Sequence, residues 1–488
     1  MNITSLEGLS RLGEVHNLSI ENNNLQTLQG LDSLETASTI SLLFNSNLES
    51  LAGLVALKHC SLLKYQNNSP LSTLRGLNPD LELRALDLAR QEIISFQETE
   101  GLKNLKVLQI SGPDISSLEG LGALPSLEKL EINYCYLLSS LEGITDLSAL
   151  EELTLNNVRT CTDFSGLPAL PMLQTLSVVG NPQLESFEGL GALPELRWLS
   201  VSSNSSLASL AGISSAPKLD ILDLYYNYAL MDIGSLPELP SLNNFRLRKS
   251  SQLTSLEGVG PFQALEELII SECGIGNLEG LGPMPNLNSL YLSRLADFSS
   301  LQGIGNTPNL VSFYIAQAEH LTSLEGFDSL PLLENFQVLN CPQVTSLAGI
   351  SEFPSLKSMG INELPQLVNL SDLPALPSGV HLSVISCSNL VDCSGLQVPA
   401  NLGSLDFSGN TSLSSLAGFE NCQSMQSLVL SGNNSMVDLV GLGSLEVVSY
   451  YMKILENANL PALTAWEFAE NIDLGGLLTI GGNGSNLE

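Results

Sequence analysis

The chain has 488 residues, of which 43% are hydrophobic, 5% aromatic and 14% charged, so its core is aliphatic and its surface is mainly Ser, Asn, Gly and Thr. Eighteen Lys and Arg against 51 Asp and Glu give a formal charge of -33, which repels phosphate-rich partners and anionic membranes and sets the expectation of no nucleic acid partner. No apolar run approaches the ~20 residues of a membrane span, and the opening MNITSLEGLS has neither a basic start nor a hydrophobic segment. No membrane insertion is expected, and the location stays open: cell surface or secreted if a leader has been removed, cytoplasmic otherwise.

From the N-terminus onward one short element recurs: LEGL at Leu6, LQGL at Leu28, LAGL at Leu51 and LRGL at Leu74, then LEGL at Leu118 and LEGI at Leu141. It continues through Phe187, Leu210, Leu256, Leu278, Leu301, Leu324, Leu347, Leu416 and Leu439, with weaker copies at Phe96, Phe164, Ile233, Leu370 and Cys393. Successive anchors of this kind lie 22 or 23 residues apart. Self-similarity at such a period points to an array of stacked units rather than to several independent domains.

Counted from its anchor, each unit places apolar residues at offsets 0, 3, 6, 9 and 12, then 14, then usually 20. The single two-residue step, as in Leu130 to Ile132, is the alternation of a short strand with one buried face. The steps of three fit a 3₁₀-like return, whose three residues per turn stack such positions on one side. Pro at offset 7 in ten units, Pro125 and Pro171 among them, argues against a continuous α-helix. Neither strand nor return buries its leucines alone, so stacking is what builds the core.

Offset 17 carries Asn (Asn23, Asn45, Asn68, Asn181, Asn204, Asn227, Asn410, Asn433) or Cys (Cys135, Cys273, Cys341, Cys387). A buried amide there must find backbone partners in neighbouring turns. At this point LPSLEKLEINYCYLL resembles the leucine-rich repeat signature L-x-x-L-x-L-x-x-N/C-x-x-L, and the coil length is similar to the short internalin-like class. The resemblance covers roughly residues 4 to 442. It implies a right-handed α/β-type solenoid with a concave parallel sheet, one strand per repeat, a convex side of 3₁₀ turns and loops, and a role in binding protein or glycan partners. A three-sided β-helix, the rival fold, calls for several alternating stretches per coil where this chain has one.

After Leu442 the pattern degrades, then partly returns in LPALTAWEFAENIDLGGLLTIGGN. The reading is an array of about 20 repeats over 1–442 and degenerate repeats over 443–488 that cap it, with Tyr450, Tyr451, Met452, Trp466 and Phe468 expected to cover the last coil. The first unit shows no such cover, so a longer chain or another subunit is expected there.

The chemistry-bearing residues point away from catalysis. All eight cysteines fall on inward positions without a C-x-x-C pair and are expected to pack as small apolar groups. His16, His59, His320 and His381 lie in different units, and no H-E-x-x-H, P-loop or G-x-S-x-G motif is present. The glutamates at offset 1 read as a solvated acidic edge. No enzyme activity, metal or other cofactor is expected.

Strand offsets 11, 13, 15 and 16 should face outward, because they flank the buried 12 and 14. In most units they are small, as in Thr175, Ser177, Ser404 and Ser431; in the middle they bring Trp198, Tyr225, Tyr226, Arg246, Arg248, Lys249, Tyr291, Arg294 and Tyr314 onto adjacent strands. Aromatics and arginine dominate binding energy in many interfaces, so these nine form the candidate ligand-binding patch of a noncatalytic recognition protein. A protein partner is expected first and a glycan stacked on Trp198 and Tyr291 second. Asp223 is the expected neutraliser of Arg246 if the side chains merely pair across strands. Three alternatives stay open: a structural or adhesive spacer, a glycan-binding module, and the recognition part of a larger enzyme or effector.

Overall fold

The computed structural model describes residues 3–68, 74, 76–78, 80–89, 96, 102–327 and 329–485. It forms two units, Met1–Leu242 and Asn243–Glu488. Each is a stack of coils with one principal strand per coil, and in each the strands pair in parallel with the next coil's strand. Leu176 lies beside Leu199 in the first unit, and Leu290 beside Phe313 in the second. The fold is a leucine-rich-repeat-type solenoid.

Its sequence pattern maps directly onto burial. In the coil anchored at Leu118, the residues Leu118, Leu121, Leu124, Leu127, Leu130, Ile132, Cys135 and Leu138 are all 1% exposed or less. Burying one such side chain contributes roughly 1.5–3 kcal/mol, and every coil repeats the set. The returns differ in detail from the 3₁₀ expectation. Their backbone makes separate i to i+3 bonds, such as Leu31 N–H to Leu28 C=O at 3.0 Å and Leu34 N–H to Leu31 C=O at 2.9 Å. Only Glu7–Leu9 and Val440–Leu442 are 3₁₀ helices among the described residues. The three-residue step thus comes from consecutive turns, each closed by its own bond.

Two ladders fix the spacing between coils. Glycine two residues after the anchor lies against the anchor carbonyl of the preceding coil: a Cβ on Gly143 would fall 2.3 Å from the Leu118 oxygen, and its φ of +117° is a further bar to any side chain. The recurring L-x-G-L is therefore a close-approach motif as well as a core motif. On the other ladder, Asn181 N–H donates to Asn204 Oδ1 at 3.0 Å, and Asn204 Nδ2 donates back to the Val178 carbonyl at 3.0 Å. At two of the cysteine positions the thiol takes over the second bond: Cys387 Sγ reaches the Ile361 carbonyl at 3.5 Å and Cys273 Sγ the Leu247 carbonyl at 3.7 Å.

The asparagine ladder runs beyond the copies apparent in the sequence. Asn433 N–H donates to Asn457 Oδ1 at 2.9 Å, and Asn457 N–H to Asn483 Oδ1 at 3.0 Å. Lengthened coils carry these two asparagines, the last containing the helix Ala462–Glu470 in place of turns. Of the bulky residues in this segment Met452 is buried, Tyr450, Tyr451 and Trp466 are exposed, and Phe468 is half-buried.

A candidate recognition surface on the outer sheet face

Residues at offsets 11, 13 and 15 lie on the outer face of the sheet, alternating with buried neighbours; the strand Asn244–Arg248 is half-buried at Asn244, Arg246 and Arg248 and fully buried at Phe245 and Leu247. Offset 16 departs from the expected alternation. Tyr226, Lys249 and Arg294 have φ of 58°, 57° and 52°, the left-handed conformation, as do the equivalent residues of most coils. The chain turns there to aim the next residue inward, so these three side chains stand at the strand's end. Asn22, Asn67 and Gly180 at the same offset are the sequence signal for that turn, diluted by the larger residues that share it.

The nine predicted residues divide between the two units. In the first, Trp198 is 46% exposed and begins its strand, Trp198–Ser202. Tyr225 ends the next strand, Ile221–Tyr225, whose residue in register with Trp198 is Ile221. Four residues of extended chain, roughly 13 Å, thus lie between the levels of Trp198 and Tyr225. Tyr225 instead packs on Tyr226 with ring centroids 4.0 Å apart, and Tyr226 meets Tyr228 edge-on at 6.0 Å. Tyr228, half exposed, is a member of this cluster that the strand pattern did not include.

In the second unit Tyr291 and Tyr314 are in register on neighbouring strands, Ser289–Leu295 and Ser312–Ala318. Their rings stack with centroids 4.4 Å apart and planes 2° from parallel. Burial, followed by the adjacent Tyr291, raises the Tyr314 phenol above its ordinary value. Arg246 occupies the same row with Ile269 between it and Tyr291.

Glutamates from neighbouring coils neutralise the basic side chains. Arg246 donates through Nη2 and Nε to Glu267 Oε2 at 2.8 and 3.0 Å. Glu272 receives Arg294 Nη1 at 3.1 Å and lies 3.7 Å from Lys249 Nζ, while Arg294 Nε reaches Gln317 Oε1 at 3.2 Å. Among the described residues Arg248 forms no ion pair. Such partly exposed pairs contribute ~0–1 kcal/mol each to folding and mainly orient the side chains. Glu267 and Glu272 escaped the sequence reading because they lie 21 to 23 residues from the cations they meet, a separation legible only once coil register is known.

No family model matches the chain, and no curated protein matches it. Among solved structures it is similar to the crystal structure of a TLR13–ssRNA13 complex, at 17% identity and a TM-score of 0.24, over 99% of this chain and 90% of that one. The expectation of no nucleic acid partner is withdrawn as a correction: it rested on net charge alone, and the structure similar to this chain is described as a complex with ssRNA. Net charge averages over the whole surface, whereas recognition depends on the local face, so -33 excludes no partner class by itself. What that complex binds is a property of that protein; the fold assignment above rests on this chain's own coils. No helix among the described residues is long and apolar enough to cross a membrane.

Proposed function

We propose that this is a noncatalytic recognition protein whose partner, another protein, docks on the outer sheet face of the second unit. The observation that carries this reading is the stacked, partly exposed Tyr291–Tyr314 pair, with Arg246–Glu267 and Lys249–Glu272–Arg294–Gln317 around it. Two rings held parallel on a rigid sheet lose little side-chain entropy on binding, and the ion-paired groups are already oriented. Arg248 adds a guanidinium that pairs with no carboxylate among the described residues. Trp198 and the Tyr225–Tyr226 cluster of the first unit supply a further aromatic surface of the same character.

The coil length and separate i to i+3 turns support placing the repeats in the short internalin-like class. We also assign 443–488 to the end of the array, supported by Asn457 and Asn483 and by the helix of its last coil. The reading is tested by affinity capture with the purified chain and with a Tyr291→Ser/Tyr314→Ser double variant. A partner retained by the parent chain and lost by the variant, at unchanged melting temperature, is the expected outcome. Equal capture by both would refute this surface.

A further inference from the structure

Along the mid-strand row of the second unit, side-chain size falls and rises again. Tyr314, Gln337, Gly360, Ser383, Asp406 and Val429 follow one another in register on six consecutive strands. Gly360 is the low point. Glycine in a strand interior weakens the strand and marks a place where another group approaches the backbone closely. The Gln337 amide occupies part of the space, for a Cβ on Gly360 would fall 2.0 Å from Gln337 Oε1. Past that amide the surface sinks into a hollow of about 240 Å³, lined by Gln337, Gly360, His381, Ser383, Asp406 and Tyr451 among others.

The polar groups of the hollow are positioned. His381 Nδ1 lies 2.8 Å from Ser404 Oγ, and Asp406 Oδ1 accepts from Ser408 Oγ at 2.5 Å. Among the described residues no cation pairs with Asp406, and its second oxygen accepts no hydrogen bond from them. An anionic ligand is repelled by that carboxylate. A wholly apolar one would leave the second Asp406 oxygen, Ser383 and Gln337 without partners, at about 1–3 kcal/mol for each group it buries. The group that satisfies them donates hydroxyl protons to a carboxylate and exchanges hydrogen bonds with a serine and an amide.

We propose that this hollow binds one ring of a neutral saccharide, with Asp406 as hydroxyl acceptor and Gln337 and Ser383 as flanking partners. Its volume lies below the ~300 Å³ at which drug-sized pockets begin, which suits a single ring at the end or side of a longer glycan. Two strand spacings, roughly 10 Å, separate Gly360 from Tyr314, so the site stands apart from the tyrosine stack.

The test is retention of the purified chain on an immobilised panel of neutral and sialylated oligosaccharides. The parent chain should retain neutral members, and Asp406→Asn and Ser383→Tyr should each lower retention at least tenfold without shifting the melting temperature. Asp406→Asn keeps the shape of the site, so it decides the matter if Ser383→Tyr does not fold. The Tyr291→Ser/Tyr314→Ser variant should bind the panel like the parent, which separates this site from the protein-docking surface. Absence of any retained neutral oligosaccharide, equal retention by Asp406→Asn, preference for sialylated members, or displacement by a lysine-rich peptide would each overturn the proposal.

Discussion

Asn204 and Asn227 are bonded twice across neighbouring coils: the Asn204 backbone N–H donates to Asn227 Oδ1 at 3.1 Å, and Asn204 Nδ2 lies 3.3 Å from the same oxygen. Asn181 makes the same pair of bonds to Asn204, so each amide serves the coil before it. Both residues are fully buried, and each bond replaces water that has no access.

Asn204→Leu, which keeps the volume and removes the amide, should therefore destabilise the first unit by about 2–3 kcal/mol, since it strands the Asn181 N–H and the Val178 carbonyl. Hydrogen exchange reads this locally. The Asn181 amide should exchange far faster in the variant, and unchanged protection would contradict the ladder's role.

Gly143→Ala should be more damaging than an ordinary surface substitution. The new methyl would sit 2.3 Å from the Leu118 carbonyl oxygen at a φ of +117°, so two coils must separate to admit it. A loss of roughly 2 kcal/mol or more is expected, visible as a lower urea midpoint. Gly8→Ala, where a Cβ meets nothing within 4 Å and φ is ordinary, is the matched control.

Asp87 gives the chain a pH dependence of defined sign. It is 8% exposed, Gln66 Nε2 donates to its Oδ2 at 2.5 Å, and its Oδ1 has no partner among the described groups. Burial raises its pKa above the ordinary carboxylate value despite the Gln66 bond and the nearby Lys64. The folded chain then holds this proton more tightly than the unfolded chain. Stability from this site is full below the unfolded value of ~3.9 and falls as pH rises through the raised folded value. Asp87→Asn should melt higher than the parent at pH 7, with the gap closing toward pH 3; a variant melting lower at pH 7 would show that the charge is stabilising.

All eight cysteines are buried free thiols. Burial raises Cys60, Cys135, Cys161, Cys273, Cys387 and Cys422 to about 11 and moves Cys341 and Cys393 upward as well. The thiolate is the reactive form, so the folded chain should resist a thiol-directed reagent at pH 8 and react at every cysteine once denatured. Mass spectrometry of the labelled chain checks this. Rapid labelling of any cysteine in the folded chain would contradict the assigned burial.

The sequence by itself determined which residues face inward. A period of 22 or 23 with apolar steps of three and one step of two leaves few arrangements that bury every leucine, and the eight cysteines and the strand-end asparagines followed from the same count. Tertiary structure decided what a one-dimensional period does not carry. The left-handed turn at Tyr226, Lys249 and Arg294, the choice of Glu267 and Glu272 as partners, the continuation through Asn457 and Asn483, and the hollow beside Gly360 all depend on contacts between coils. Burial is set largely within a coil, by how its own residues alternate. Pairing and surface relief are set by residues some 23 positions away whose side chains meet only after the strands have taken their register.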